Sequence, residues 1–291
     1  MCGIVGLHLR EPELHPRLGE LLAAMLGQLV ERGPDSAGVA VYGDPRLTPP
    51  GRAAVSLLDT DAATVESALR GRIPDAVAVD AGPTTVVHAP VGVDALIEAL
   101  PRATVIGTGE EVAVLKGTGH PHDLARAFGL AGVQGWQGVG HTRMATESAV
   151  TPQGAHPFSV GPGQCLVHNG SFANHATIRR ELRAEGVSFD SDNDSEVGAR
   201  FVAYHLARGA DLDKALRLLC ERFDGFYTLL VTTADAFAVV RDAIACKPAL
   251  VAETPGWVAM ASEYRALAVL PGVESARIFE PEPEEVYVWK R

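Results

Sequence analysis

The grouping of the apolar runs constrains the fold of this chain most tightly. Strand-like GIVGLHL and VAVY stand near the start, and the run after Gly138 and CLVHN follow later. Then come helical stretches, and the C-terminal third is again strands: FYTLLVT, FAVVR, ALVAE, WVAMA, ARIFE and VYVW. Strands gathered on both sides of a helix block point to a layered, antiparallel α+β arrangement, not to the alternation of a parallel βαβ sheet.

The helices carry the expected periodicity. Leu18, Leu21, Leu22, Met25 and Leu29 fall on one helical face, and the helix stops at Gly33-Pro34. ATIRRELRAE is the second helix. The third follows DNDSE, where Asp194 reads as the N-cap and Val197, Phe201 and His205 share a face. A fourth, over 212–223, buries Leu212, Leu216 and Leu219. Between about 44 and 119 lie AAVSLL, TTVVHA, ATVIG and the helical VDALIEAL, without repeat or low complexity. This stretch is expected to be an ordered βα-like insertion within a single domain of residues 1–291.

Charge excludes some functions. With 25 Lys and Arg against 36 Asp and Glu, the net charge is -11, so no basic surface is available for nucleic acid or an anionic membrane. No apolar run approaches the roughly 18 residues of a membrane span, and the start is too short and too soon acidic for a secretory signal. A cytoplasmic location is expected. Cys2, Cys165, Cys220 and Cys246 lack CxxC spacing and read as reduced thiols, three of them buried, not as a disulfide framework or zinc site.

The position of Cys2 has chemical content. Once Met1 is removed, Cys2 carries a free α-amine on the same carbon as its thiol. A thiolate is the working nucleophile, and an unperturbed thiol, with a pKa of about 8.5, needs a nearby base. An α-amine titrating at about 7.7–8.0 can take that proton, directly or through water. On its own, Cys2 reads more readily as a small apolar strand residue.

Four further segments give it company: RGPDSAG at 32–38, GHTRMAT at 140–146, HNG at 168–170 and SDNDSEV at 191–197. Attack on a carboxamide generates an oxyanion that needs preorganised donors. The Asn169 side chain and the Gly170 backbone N–H are candidates, although Asn-Gly is also a common turn. Arg143 can fork onto a carboxylate, Thr146 can add a hydroxyl, and Asp194 can pair with an ammonium. A surface ion pair for Arg143 and a helix cap for Asp194 are the plainer readings.

Taken in order with MCGIVG, these segments resemble the glutaminase domain of the class II, N-terminal-nucleophile glutamine amidotransferases. The resemblance covers nearly the whole chain outside the insertion. It implies a four-layer αββα sandwich, with Cys2 as nucleophile, Asn169 and Gly170 as oxyanion hole, and Arg143, Thr146 and Asp194 as the clamp for L-glutamine. Arg32 and Asp35 read as scaffold for the nucleophile's end, and a plain helix-stop turn is an equally good reading of RGPDSAG. Met144 and Glu147 stand where relatives often carry Trp and His, which alters the pocket lining more than the chemistry. The surroundings of GHTRMAT and HNG look most like free-standing subunits related to glutamate synthase, such as the small subunit of N-methylglutamate synthase.

Nothing after VYVWK is seen to consume ammonia, so a partner synthase subunit is expected to receive it. A free-standing amidohydrolase for another γ-glutamyl compound and a non-catalytic regulatory subunit are the alternatives. Asp190, Asp192 and Asp194 mimic a calcium loop, but Ser195 and Phe201 occupy the positions that need Gly and Glu. No cofactor or metal is expected.

Overall fold

The computed structural model describes residues 2–144 and 150–291. The chain begins with β1 (Gly3–Leu9), α1 (Leu18–Gly27) and β2 (Ser36–Tyr42). It continues through β3 (Ala53–Leu58), α2 (Ala62–Leu69), β4 (Val77–Ala81), β5 (Thr84–Ala89), α3 (Val93–Ala99) and β6 (Thr104–Gly109). Next come β7 (Val112–Thr118), α4 (Pro121–Ala127), β8 (Gln137–Arg143), β9 (Cys165–Phe172), α5 (His175–Ala184), α6 (Asp194–Leu206) and α7 (Leu212–Arg222). The chain closes with β10 (Gly225–Thr232), β11 (Ala236–Arg241), β12 (Leu250–Glu253), β13 (Trp257–Ala261), α8 (Tyr264–Leu267), β14 (Arg277–Phe279) and β15 (Tyr287–Lys290).

Two sheets face each other. One has seven strands in the order β14-β12-β13-β1-β8-β2-β7, and the other has four in the order β15-β11-β10-β9. Neighbouring strands in both are antiparallel. Ile4, Ala40, Val114 and Val139 of the first sheet meet Cys165, Val167, Leu230 and Phe237 of the second in a shared core. On the far side of the first sheet, Val5, Leu7, Val39 and Val41 pack under Leu22 and Met25 of α1. Across the second, Leu166, Leu229 and Val231 pack under Ile178, Val197 and Leu216 of α5–α7. The layers therefore run αββα, and the α+β class is as expected.

The two-residue period of β1 puts Ile4 between the sheets and Val5 and Leu7 beneath α1. Both faces are buried, which is why GIVGLHL reads as a continuous apolar run and not as an alternating one. Fully burying a side chain such as Leu22 contributes about 1.5–3 kcal/mol.

Residues 53–109 form a unit of their own. Its order β3-α2-β4-β5-α3-β6 and its sheet order β4-β5-β3-β6 make the split βαβ arrangement known from ferredoxin-like folds. One face of that sheet packs Val55, Leu57 and Val87 against Val65, Leu69 and Leu96 of its two helices. The other face leans on the main body, with Ala54 and Val86 joining the core under α1. Strand β7, which the sequence reading placed in the inserted stretch, is instead the edge of the seven-stranded sheet, paired with β2. Its outer edge is satisfied by the inserted unit. Ser56 Oγ accepts from Val114 N at 2.9 Å, and Thr84 Oγ1 accepts from Lys116 N at 3.2 Å. An otherwise open strand edge is thus covered by side-chain hydroxyls.

The cap of α6 differs from expectation. Asn193, with extended backbone, is the N-cap, and its side chain accepts from Ser195 N at 2.9 Å. Asp194 is the first helical residue, and its carboxylate turns outward to accept from Phe172 N of β9 at 2.9 Å. Among the described residues no helix is long and apolar enough to cross a membrane.

Candidate active site

Strand pairing brings the motifs together. In the β1–β8 register Gly3 lies opposite Thr142 and Ile4 opposite His141, so Cys2, just before β1, lies at the end of β8 where Arg143 stands. On the other side of β8, Ser36 lies opposite Arg143. The facing sheet supplies β9 with His168, Asn169 and Gly170.

The backbone of Cys2 is held from two directions. Arg32 Nε donates to its carbonyl at 2.8 Å, while Arg32 Nη1 pairs with Glu263 at 2.7 Å. Asn169 Nδ2 donates to the same carbonyl at 3.2 Å and lies 3.3 Å from Ser262 Oγ. Ser262 also accepts from Ile4 N at 2.9 Å. RGPDSAG therefore tethers the Cys2 end of β1 through Arg32. It also packs on Arg143, because Asp35 N donates to the Arg143 carbonyl at 3.1 Å. A Cβ on Gly33 would come within 2.4 Å of Arg143 N, so only glycine fits there.

Asn169 and Gly170 are not a turn. They lie inside β9, opposite Thr228 and Tyr227 of β10. Gly170 has φ of 138°, and a Cβ there would meet Phe226 O at 1.9 Å. That combination excludes any side chain and leaves Gly170 exposed beside the buried Asn169.

The four thiols differ in environment. Burial acts to push the Cys2 thiol up, but the neighbouring His141 ring, with a backbone contact from Met144, brings it down to about 7. Burial pushes Cys165 up to about 11 and raises Cys220 as well. Three buried thiols were expected, but only Cys165 of the four is buried: Cys220 is half-buried in the last turn of α7, and Cys246 is exposed in the loop between β11 and β12. Only Cys2 is both partly accessible and shifted toward the thiolate.

Asp194 is placed by a web of buried contacts. Glu196, almost fully buried, accepts from Asp190 N at 2.9 Å and Ser191 N at 2.7 Å, fixing the loop before α6. Ser195 Oγ bonds His168 Nδ1 at 2.8 Å. Through its bond to Phe172 N, the Asp194 carboxylate meets β9 three residues along from Asn169. Arg143 is buried at the end of β8, and Thr146 lies outside the described residues. Sequence reasoning missed His141, Ser262 and Glu196. His141 was legible inside GHTRMAT, whereas Ser262 follows a plain apolar strand and carries no local signal.

Comparison with known proteins follows the same lines. The glutamine amidotransferase domain profile matches residues 141–269. Over 99% of its length the chain is 48% identical to the glutamine amidotransferase-like protein GlxB of Rhizobium meliloti (strain 1021), covering 98% of that protein. It is 39% identical over 130 residues to the glutamine–fructose-6-phosphate aminotransferase (isomerizing) of Streptomyces coelicolor, covering 44% of this chain and 21% of the relative. The glutamine phosphoribosylpyrophosphate amidotransferase of B. subtilis superposes over 99% of the chain with a TM-score of 0.64 at 19% identity; the match covers 47% of that structure, which shares the fold.

Proposed function

From the membership of this chain in the class II glutamine amidotransferases, we propose that it hydrolyses the side-chain amide of L-glutamine at Cys2 and passes the ammonia to an acceptor site outside residues 1–291. One observation carries the reading: the thiol brought down to about 7 shares its residue with a carbonyl bonded at 3.2 Å to the Asn169 amide.

The steps follow from that placement. With Met1 removed, the α-amine of Cys2 takes the thiol proton, and the sulfur attacks the amide carbon of glutamine. Asn169 Nδ2 and the Gly170 N–H stabilise the oxyanion. The tetrahedral adduct collapses to a γ-glutamyl thioester as the protonated amine gives its proton to the departing ammonia. Water then attacks the thioester, releasing glutamate and restoring the thiol. Arg143 and Thr146 hold the substrate carboxylate and Asp194 its ammonium. An acceptor subunit of the glutamate synthase type is the finer reading of where the ammonia goes, and a cytoplasmic setting suits its reduced thiols.

The test is glutamate release from glutamine by the purified protein, with intact mass reporting Met1. Cys2→Ala that still hydrolyses glutamine, or full activity with Met1 retained, overturns the mechanism. Glutamine turnover that is fast in isolation and unchanged by added cell extract overturns the partner subunit and favours a free-standing amidohydrolase.

A further inference from the structure

The buried ring of His141 makes contacts that the hydrolytic steps above do not use. Its Nε2 lies 3.1 Å from Asn169 Oδ1 and 3.2 Å from the His168 carbonyl oxygen. The opposite end of the Asn169 amide faces the Cys2 carbonyl, which can only accept, so that end must be the NH2 group. Oδ1 is then forced toward His141. Nε2 therefore faces two acceptors and must carry the proton, which makes it the donor in both contacts. Nδ1 has no hydrogen-bond partner among the described residues. The ring is stacked on His156 with centroids 4.2 Å apart, which leaves it little freedom to turn over.

We propose that His141 is a positioning residue for the half-reaction: its Nε2–H holds the Asn169 carboxamide with the oxygen turned inward and the NH2 turned to the side where the oxyanion forms. The proposal rests on the assignment of Asn169 to the oxyanion hole. An asparagine amide is nearly symmetric in shape, so its packing alone does not choose between the two orientations. Rotated by half a turn, Asn169 would aim a carbonyl oxygen at the developing oxyanion and at the Cys2 carbonyl. The Cys2 carbonyl, which only accepts, and the His141 N–H, which donates, enforce the same orientation from the two ends of the amide, and His141 supplies the partner of the inward-turned oxygen. Ser262 on the outer side does not discriminate, because a hydroxyl both donates and accepts.

Two substitutions separate positioning from packing. His141→Phe keeps the ring and its stacking but loses the donor. His141→Gln loses the ring and keeps an N–H able to reach an amide oxygen. The expected result is a kcat lower by about 10- to 100-fold for His141→Phe, with KM nearly unchanged, and substantial rescue in His141→Gln. A purely structural role gives the reverse order, with Phe active and Gln impaired, and overturns the proposal. The same pair is then made in an Asn169→Ala background, where His141→Phe should add less than threefold further loss, as expected of residues acting through one another. Additive losses overturn the proposal. An Asn169→Ala enzyme with unchanged kcat removes the oxyanion assignment itself, whereas a large Asn169 effect with a silent His141→Phe removes the role of His141 alone.

Discussion

The catalytic edge, where β1, β8 and β9 meet, and the inserted unit of residues 53–109 are built to opposite rules. The inserted core is lined by small and branched apolar side chains such as Val55, Leu57, Val87 and Leu96, and its buried polar groups are confined to Ser56, Thr84, Thr85 and His88. At the catalytic edge, His141, Thr142, Arg143, His168, Asn169 and Glu196 are all buried within or against strands. Burying polar groups is unfavourable unless each finds a partner. Several of these do: Asn169 bonds the Cys2 carbonyl, His141 bonds Asn169, and His168 bonds Ser195. The difference shows where this molecule gives up packing simplicity to place chemistry, and where it keeps apolar cohesion.

The strongest way to break the comparison is at Cys2. Cys2→Ala should abolish glutamate release while leaving the circular dichroism and melting temperature of the parent, and a glutamine-like diazoketone should label Cys2 and none of the other three thiols. Labelling of Cys246, the exposed thiol, would show that accessibility and not environment sets reactivity.

Next in size, Asn169→Ala should lower kcat by about 10²- to 10³-fold with little change in KM. Asp194→Ala should act through KM, measured by glutamine titration. Since Asn193 and not Asp194 caps α6, its melting temperature should change little. A large drop in melting temperature with unchanged KM would assign Asp194 to structure, through its bond to Phe172 N.

The inserted unit should respond in the other currency. Leu57→Ala, fully buried beneath α2 and α3, should destabilise by about 2–5 kcal/mol in denaturant unfolding while kcat of the folded protein stays within twofold. A large fall in kcat at full folding would mean that the insertion shapes the site.

The smallest expected effect is in pH. The Cys2 thiol sits at about 7, so its alkylation rate should fall about tenfold per unit below that pH and level off above it. The sign for stability is the same. A thiol lowered from its ordinary 9.0 to about 7 stabilises the fold above pH 9, and the contribution is lost as pH falls through 7. Cys165, pushed up to about 11, should remain unlabelled across this range.

Much of the site was legible because its chemistry depends on short stretches of chain. Cys2, Asn169, Gly170, Arg143 and Asp194 each stand in a motif whose residue types suggest a role. Other features were not, because they depend on contacts between distant segments. Ser262 meets Asn169 from 93 residues away, and Glu263 reaches Arg32 across 231. The position of β7 was hidden for a similar reason: VAVLKGT looks the same whether it pairs with β6 or with β2.

By itself the amino-acid sequence determined the strand and helix periods, the α+β class and the candidate reactive groups, since these follow from local side-chain spacing and intrinsic chemistry. The tertiary structure alone decided how those groups act. Only the packing of β8 against β9 turns a histidine ring toward an asparagine amide, and only the pairing of β1 with β8 sets the thiol beside that ring. Hydrogen bonding and thiol acidity depend on distances of a few ångströms between segments far apart in the chain, and those distances exist only once the two sheets have closed on each other.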